Sequence, residues 1–126
     1  MTTFVWVGVG GALGSMARHG VNVLVNRWLG ATLPHATAIV NIVGCLVIGL
    51  LAGLTASGQW RIGPQIRAFL FVGIMGGFTT FSSLGLDTFT LVSEGRTAQA
   101  AGNLALQFFV GLGAIFAGYA AATSIR

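Results

Sequence analysis

The stretch GGFTTFSSLGLDTF, residues Gly76–Phe89, decides how the rest of this sequence is interpreted. It lies in an otherwise apolar run, yet it begins with two adjacent glycines and contains five hydroxyl side chains and one carboxylate. Adjacent glycines weaken a helix, and a β-branched pair, Thr79 and Thr80, follows one residue later. The stretch is too polar for a helix that faces lipid along its whole length, and too apolar for the active site of a soluble protein.

Two local structures fit this stretch. If the helix unwinds, its main-chain carbonyls lose their hydrogen-bond donors and need protein, water or an ion as a partner. Freed carbonyls are ligands for a hard cation such as Na⁺ in transporters with interrupted helices. Alternatively the helix is intact and its Ser and Thr hydroxyls donate to the carbonyl four residues earlier. The residues of this stretch alone leave both structures open.

The composition places the whole chain in a membrane. Of 126 residues, 55% are hydrophobic and 6% are charged, whereas soluble domains have about 25% charged residues. A spanning helix needs about 20 mostly apolar residues. Four segments qualify, which predicts an all-α integral membrane protein with a single four-helix transmembrane domain over residues 1–126 and spans at about 3–25, 36–56, 68–92 and 98–123.

The charged residues exclude several functional classes. The six arginines are scattered singly, so there is no basic face for nucleic acid, and the expected surroundings are the lipid bilayer. The sequence has no nucleophile–base pair and no cluster of metal-ligating side chains, so we do not expect an enzyme.

The distribution of arginine gives a weak orientation signal. Arg61, Arg67 and Arg126 would lie on one side of the membrane, and Arg27 and Arg96 on the other. Three against two is little bias under the positive-inside rule, so either the chain inserts one way through other cues, or it inserts both ways and pairs antiparallel. Four thin helices enclose little volume and glycines recur four residues apart in three spans, so we expect tight packing in an oligomer, most simply a dimer.

Polar residues also occur in the first two spans. Thr37 and Asn41 are four residues apart and so share one helical face; the Asn41 amide offers two N–H donors to an anion, or it makes an interhelical hydrogen bond. Arg18 either extends to the lipid headgroups or lines a water-filled vestibule that concentrates anions.

Phe81 differs from the other phenylalanines in its neighbours, because Thr80 and Ser82 flank it. An aromatic ring has an electropositive edge that faces an anion without binding it strongly. A path of amides, hydroxyls and ring edges with no acidic ring disfavours cations.

These motifs resemble the bacterial fluoride channels of the Fluc family. The resemblance rests on GGFTTFSS in the third span, on Thr37, Asn41 and Gly44 in the second, and on GGALGSMAR (residues 10–18) in the first. It extends over essentially the whole chain. It implies an antiparallel, dual-topology homodimer in the bacterial inner (plasma) membrane, with two fluoride pores and one structural Na⁺ at the dimer centre.

The resemblance also implies roles for individual residues. The main-chain carbonyls of Gly76 and Thr79, at a break in the third helix, would hold the Na⁺. Arg18 would lie in the vestibule. The residues expected along the fluoride pore are Thr37, Asn41, Thr80, Phe81, Ser82, Ser83 and Leu84.

The sequence departs from the family pattern at Leu84, where the family has a second pore phenylalanine. Leucine has no electropositive ring edge, so either the pore is altered or the chain is one subunit of an unequal pair. Asp87 stands where a glutamate is usual. Asn103, Gln107 and Phe108 in the fourth span are weaker pore candidates.

The resulting functional hypothesis is passive export of fluoride. The alternative is a small proton-coupled multidrug exporter, which is also four-helical. That mechanism needs a titratable carboxylate in its pocket, usually in the first span, and this chain has none there.

Overall fold

A computed structural model describes residues 1–30 and 34–125, and all the regular secondary structure in this part of the chain is helical. Arg126, which contributes to the charge comparison above, lies outside the described residues. The helices are α1 (Thr2–Leu29), α2 (His35–Ala56), α3 (residues 64–78), α4 (Phe81–Ser93) and α5 (Thr97–Ser124).

The ends of the helices follow local sequence signals. Pro64 occupies the first turn of α3, where its missing N–H costs nothing. Gly30 follows α1 with φ 76°, and its N–H donates to the Asn26 carbonyl at 3.1 Å. Gly95, between α4 and α5, has the same positive φ. This left-handed conformation is one that only glycine adopts readily, so these positions end the helices.

Three helical stretches are long and apolar enough to cross a membrane. They are His35–Ala56, with a mean hydropathy of 2.3, Pro64–Ser93, with 1.6, and Thr97–Ser124, with 1.8. The chain is therefore a multi-pass membrane protein. Helix α1 has 28 residues but does not reach the same apolarity, because Arg18 and His19 lie in its second half. Its span across the bilayer stays a prediction.

The helices pack mainly as two pairs, α1 with α3 and α2 with α5. Glycines make both contacts possible. A Cβ on Gly77 would lie 2.5 Å from the Gly11 carbonyl oxygen, and one on Gly53 would lie 2.7 Å from the Tyr119 carbonyl oxygen. Small residues let the backbones approach this closely. The glycines expected to favour contact with another subunit are therefore engaged in packing inside the chain.

Two of the described helices contain π-helical segments, in which main-chain hydrogen bonds join residues five apart instead of four apart. One is Ala68–Met75 in α3, and the other is Leu106–Val110 in α5. Such segments are rare and frequently lie at functional sites.

Thr79 and Thr80 separate α3 from α4. Their backbone is extended, with φ −79° and ψ 158° at Thr79 and φ −152° and ψ 116° at Thr80. Gly76 and Gly77 are helical, so the extended residues are the β-branched pair rather than the two glycines. The Thr80 side chain then begins α4, because its hydroxyl oxygen accepts a hydrogen bond from the Ser83 N–H at 3.1 Å.

Candidate functional site

The side chain of Asn41 in α2 binds the main chain of Thr80. The Thr80 N–H donates to Asn41 Oδ1 at 2.8 Å, and Asn41 Nδ2 donates to the Thr80 carbonyl oxygen at 3.0 Å. This pairing satisfies both main-chain groups of a residue that is 8% exposed and belongs to no helix. Buried main-chain groups outside regular structure need such partners.

The hydrogen-bond network continues from Asn41 to two amide side chains of α5. Asn41 Nδ2 also donates to Gln107 Oε1 at 2.6 Å, and Gln107 Nε2 donates to Asn103 Oδ1 at 2.9 Å. Gln107 and Asn103 are 6% and 9% exposed, respectively, and Asn103 Nδ2 has no hydrogen-bond partner in the described part of the protein. Because both N–H groups of Asn41 are engaged, this arrangement leaves neither for an anion.

Three hydroxyls form a cluster at the start of α4. Thr80 Oγ1 lies 3.1 Å from Ser82 Oγ and donates to Ser83 Oγ at 3.0 Å. Three of the four hydroxyls expected along the pore are thus brought together within one turn of helix. Since each hydroxyl can both donate and accept, this cluster can turn donors toward an anion without a fixed charge.

Main-chain carbonyls supply the oxygen atoms that a cation would need here. In a continuous helix the Thr80 N–H would donate to the Gly76 carbonyl, but it donates to Asn41 instead. The Thr79 carbonyl oxygen lies 3.5 Å from Arg18 Nη1. Among the described residues no group of three or more His, Cys, Asp or Glu side chains could hold a metal ion. Carbonyl oxygen is therefore the ligand type that this region offers.

Two adjoining cavities lie beside this region. One of about 320 Å³ and one of about 560 Å³ share the side chains of Asn41, Cys45, Phe81, Leu84 and Ile115. The Phe81 side chain is 85% exposed. Leu84 thus lies beside Phe81 along the same open surface, where the family pattern has a second ring.

Thr37, near the start of α2, lies in a different, polar cavity of about 240 Å³. Asn22, Asp87, Glu94 and Arg96 also line that cavity. Asn22 Oδ1 and Asp87 Oδ2 have no hydrogen-bond partner among the described residues, whereas Glu94 pairs with Arg96 at 2.9 Å. Thr37 and Asn41 are one turn apart on the same face of α2, yet they line different cavities.

Asn103 and Gln107 have a closer connection to Asn41 than the sequence indicated. Both are buried and linked to Asn41, whereas Phe108, the third weak candidate, is 65% exposed beside Phe81 in the larger cavity. A signal was present, since two amides four residues apart in an apolar span share one face.

The chain matches the family model of CrcB-like proteins, described with camphor resistance, over residues 5–119. It is 48% identical over 116 residues to the fluoride-specific ion channel FluC of Paracoccus denitrificans, covering 92% of this chain and 90% of the relative. A FluC of Rhodospirillum centenum is 46% identical over 114 residues, covering 90% of both chains. A FluC of Opitutus terrae is 39% identical over 127 aligned positions, covering 100% of this chain and 96% of the relative. The resemblance found in the sequence is therefore confirmed, and the chain belongs to the CrcB-like (Fluc) family.

Proposed function

We propose that this chain is a fluoride channel that lets the anion leave the cytoplasm passively, down its gradient. The relatives' printed name, fluoride-specific ion channel, supports the choice of ion. The observation that carries the proposal is the hydroxyl cluster of Thr80, Ser82 and Ser83 beside Phe81 and two open cavities. Hydroxyl donors and ring edges can replace part of the hydration shell of a small anion without trapping it.

In this proposal Asn41 acts first as a support. Its amide holds the extended Thr80 and so fixes where the hydroxyl cluster begins. An N–H group of Asn41 becomes available to fluoride when its hydrogen bond to Gln107 or to the Thr80 carbonyl breaks. Arg18 beside Thr79 adds a positive charge that favours anions close to the cluster.

A second, antiparallel copy of the chain completes the pore. Phe81, Phe108 and Phe109 are 85%, 65% and 68% exposed on a surface that also opens both cavities. Lipid can cover exposed rings, but it cannot satisfy the polar groups of Asn41 and Thr80 in the open cavity beside them, and this favours a partner on that face. Dual topology accords with the weak arginine bias, and the bacterial inner (plasma) membrane is where such a pore would lower cytoplasmic fluoride.

We further propose a structural Na⁺ at the dimer centre, held by the main-chain carbonyls of Gly76 and Thr79 from each copy. The Gly76 carbonyl fits this role, because the Thr80 N–H is committed to Asn41 and leaves that carbonyl without its helical donor. The Thr79 carbonyl accepts a long hydrogen bond from Arg18 Nη1 at 3.5 Å, which Na⁺ would have to displace. Carbonyl oxygens of interrupted helices suit Na⁺. Replacing Na⁺ by N-methylglucamine during purification should convert the dimer to monomer in gel filtration. An unchanged dimer would contradict this role.

A fluoride-efflux assay tests the function. Purified protein in liposomes should dissipate a fluoride gradient, leave a chloride gradient intact and need no proton gradient. Proton-driven export of bulky cations would instead support the multidrug exporter. The structure gives that alternative little support, because Glu94 is paired with Arg96 and Asp87 lies in the polar cavity away from Phe81.

A further inference from the structure

We propose that a cavity of about 270 Å³ between α2, α3 and α5 binds the phosphodiester headgroup of an anionic lipid. The cavity is lined by Ala52, Thr55, Ala56, Arg67, Phe71 and Tyr119. It shares no residue with the cavities beside Phe81 or with the polar cavity at Thr37. The site is therefore separate from the proposed fluoride path.

The position of the cavity along the helices matches the headgroup layer. α2 ends at Ala56, α3 begins at Pro64 and α5 ends at Ser124, so all three lining segments are helix ends. Arg67 is three residues inside α3, and Tyr119 is five residues from the end of α5. At 1.5 Å per residue these positions are within about 8 Å of the helix ends, and the headgroup region is roughly 5–8 Å thick on each side of the bilayer.

Arg67 provides a positive charge beside the cavity. Its guanidinium carbon lies 5.1 Å from the centre of the Phe71 ring, a cation–π contact that restricts the side chain. Among residues 1–30 and 34–125, the ion pair joins Glu94 to Arg96, and no side-chain carboxylate of this part of the chain lies within 4 Å of the Arg67 guanidinium. A planar guanidinium in this position can donate two parallel hydrogen bonds to a phosphate.

The rest of the lining suits a lipid rather than a free ion. The Tyr119 hydroxyl makes no hydrogen bond within residues 1–30 and 34–125, so it can donate to the same phosphate. Ala52, Ala56 and the Phe71 ring give an apolar floor for the glycerol and the first methylenes. Gln59 donates to the carbonyls of Ala122 and Ile125, at 3.0 and 2.6 Å. This satisfies carbonyls at the end of α5 that would otherwise repel an anion.

Native mass spectrometry of the purified full-length chain tests the proposal without any measurement of flux. Titration with phosphatidylglycerol and with phosphatidylcholine should give an affinity about fivefold higher for phosphatidylglycerol, the effect expected of one basic side chain near the lipid surface. Arg67→Gln should abolish this preference. Arg67→Lys should keep part of it, because lysine retains the charge but not the planar donor pair.

The matched control is Arg61→Gln, since Arg61 is an exposed arginine in the neighbouring connector and does not line the cavity. It should keep the full preference. Tyr119→Phe removes one hydrogen-bond donor and keeps the ring, so it should weaken the preference for phosphatidylglycerol. This variant tests the proposal if Arg67→Gln does not fold. A wild-type preference in Arg67→Gln, or an equal loss in Arg61→Gln, would overturn the proposal. Displacement of bound phosphatidylglycerol by inorganic phosphate would also overturn it, by indicating a site for soluble anions.

Discussion

Replacing Asn41 by alanine should both destabilise the protein and cut fluoride efflux. The change removes three hydrogen bonds, two to the Thr80 main chain and one to Gln107 Oε1. Measured interhelical hydrogen bonds in membranes average about 0.6 kcal/mol each, so the expected loss from three of them is about 2 kcal/mol. The loss is larger if the Thr80 N–H and carbonyl stay unsatisfied, at roughly 1–3 kcal/mol for each buried group.

A loss of about 2 kcal/mol lowers the ratio of folded to unfolded protein roughly thirtyfold. The expected results are a lower midpoint in thermal unfolding followed by gel filtration, and reduced fluoride efflux from liposomes at equal protein content. Asn26→Ala is the matched control, because Asn26 is an exposed asparagine whose side chain makes no hydrogen bond among the described residues. It should leave both measurements unchanged. Wild-type stability and efflux in Asn41→Ala would refute the role of Asn41 as the support of Thr80.

Three further changes test the pore and the packing. Phe81→Ala should reduce fluoride efflux, since it removes the ring beside the hydroxyl cluster. Phe116→Ala should not, because Phe116 is also exposed, at 68% against 85% for Phe81, but lies outside both cavities; equal effects in efflux assays would contradict a pore role. Leu84→Phe should raise fluoride efflux without admitting chloride, because it adds a second electropositive ring edge; unchanged or lower efflux would show that the pore does not use position 84 in this way. Gly77→Leu should prevent stable folding, because a Cβ there would lie 2.5 Å from the Gly11 carbonyl oxygen. The control Gly113→Leu should fold, since a Cβ at Gly113 has no atom within 4 Å, and a monodisperse Gly77→Leu peak in gel filtration would contradict the packing.

The sequence was sufficient to predict the helical class. Apolar length is a strong signal, and glycine and proline mark the connectors, as Gly30, Pro64 and Gly95 do. The limits of the spans in the bilayer stay predictions. The unusual polarity of the third span coincides with the place where Thr79 and Thr80 are extended.

The partners of the polar side chains could not be predicted in the same way. They depend on how the helices cross and rotate, which the sequence does not encode locally. The sequence left open whether Asn41 offers its N–H groups to an anion or makes an interhelical hydrogen bond, and in the structure both N–H groups donate to other helical segments, to the Thr80 carbonyl and to Gln107 Oε1. The surroundings of Asp87 were equally unpredictable, and its Oδ2 has no hydrogen-bond partner among the described residues.

The π-helical segment Leu106–Val110 makes the number of residues in α5 matter as much as their identity. A segment of this kind accommodates one residue more than a regular α-helix of the same span. A single-residue deletion within the segment would restore regular winding and leave the helix on both sides of it facing as it does now. A deletion in the regular α-helix between Asn103 and this segment would instead rotate Asn103 by about 100°, away from α2, while the apolar character of the span remained. Relatives that lack one residue within the segment should therefore keep the polar network, whereas relatives that lack one residue next to it should lose that network even where their hydropathy profiles coincide.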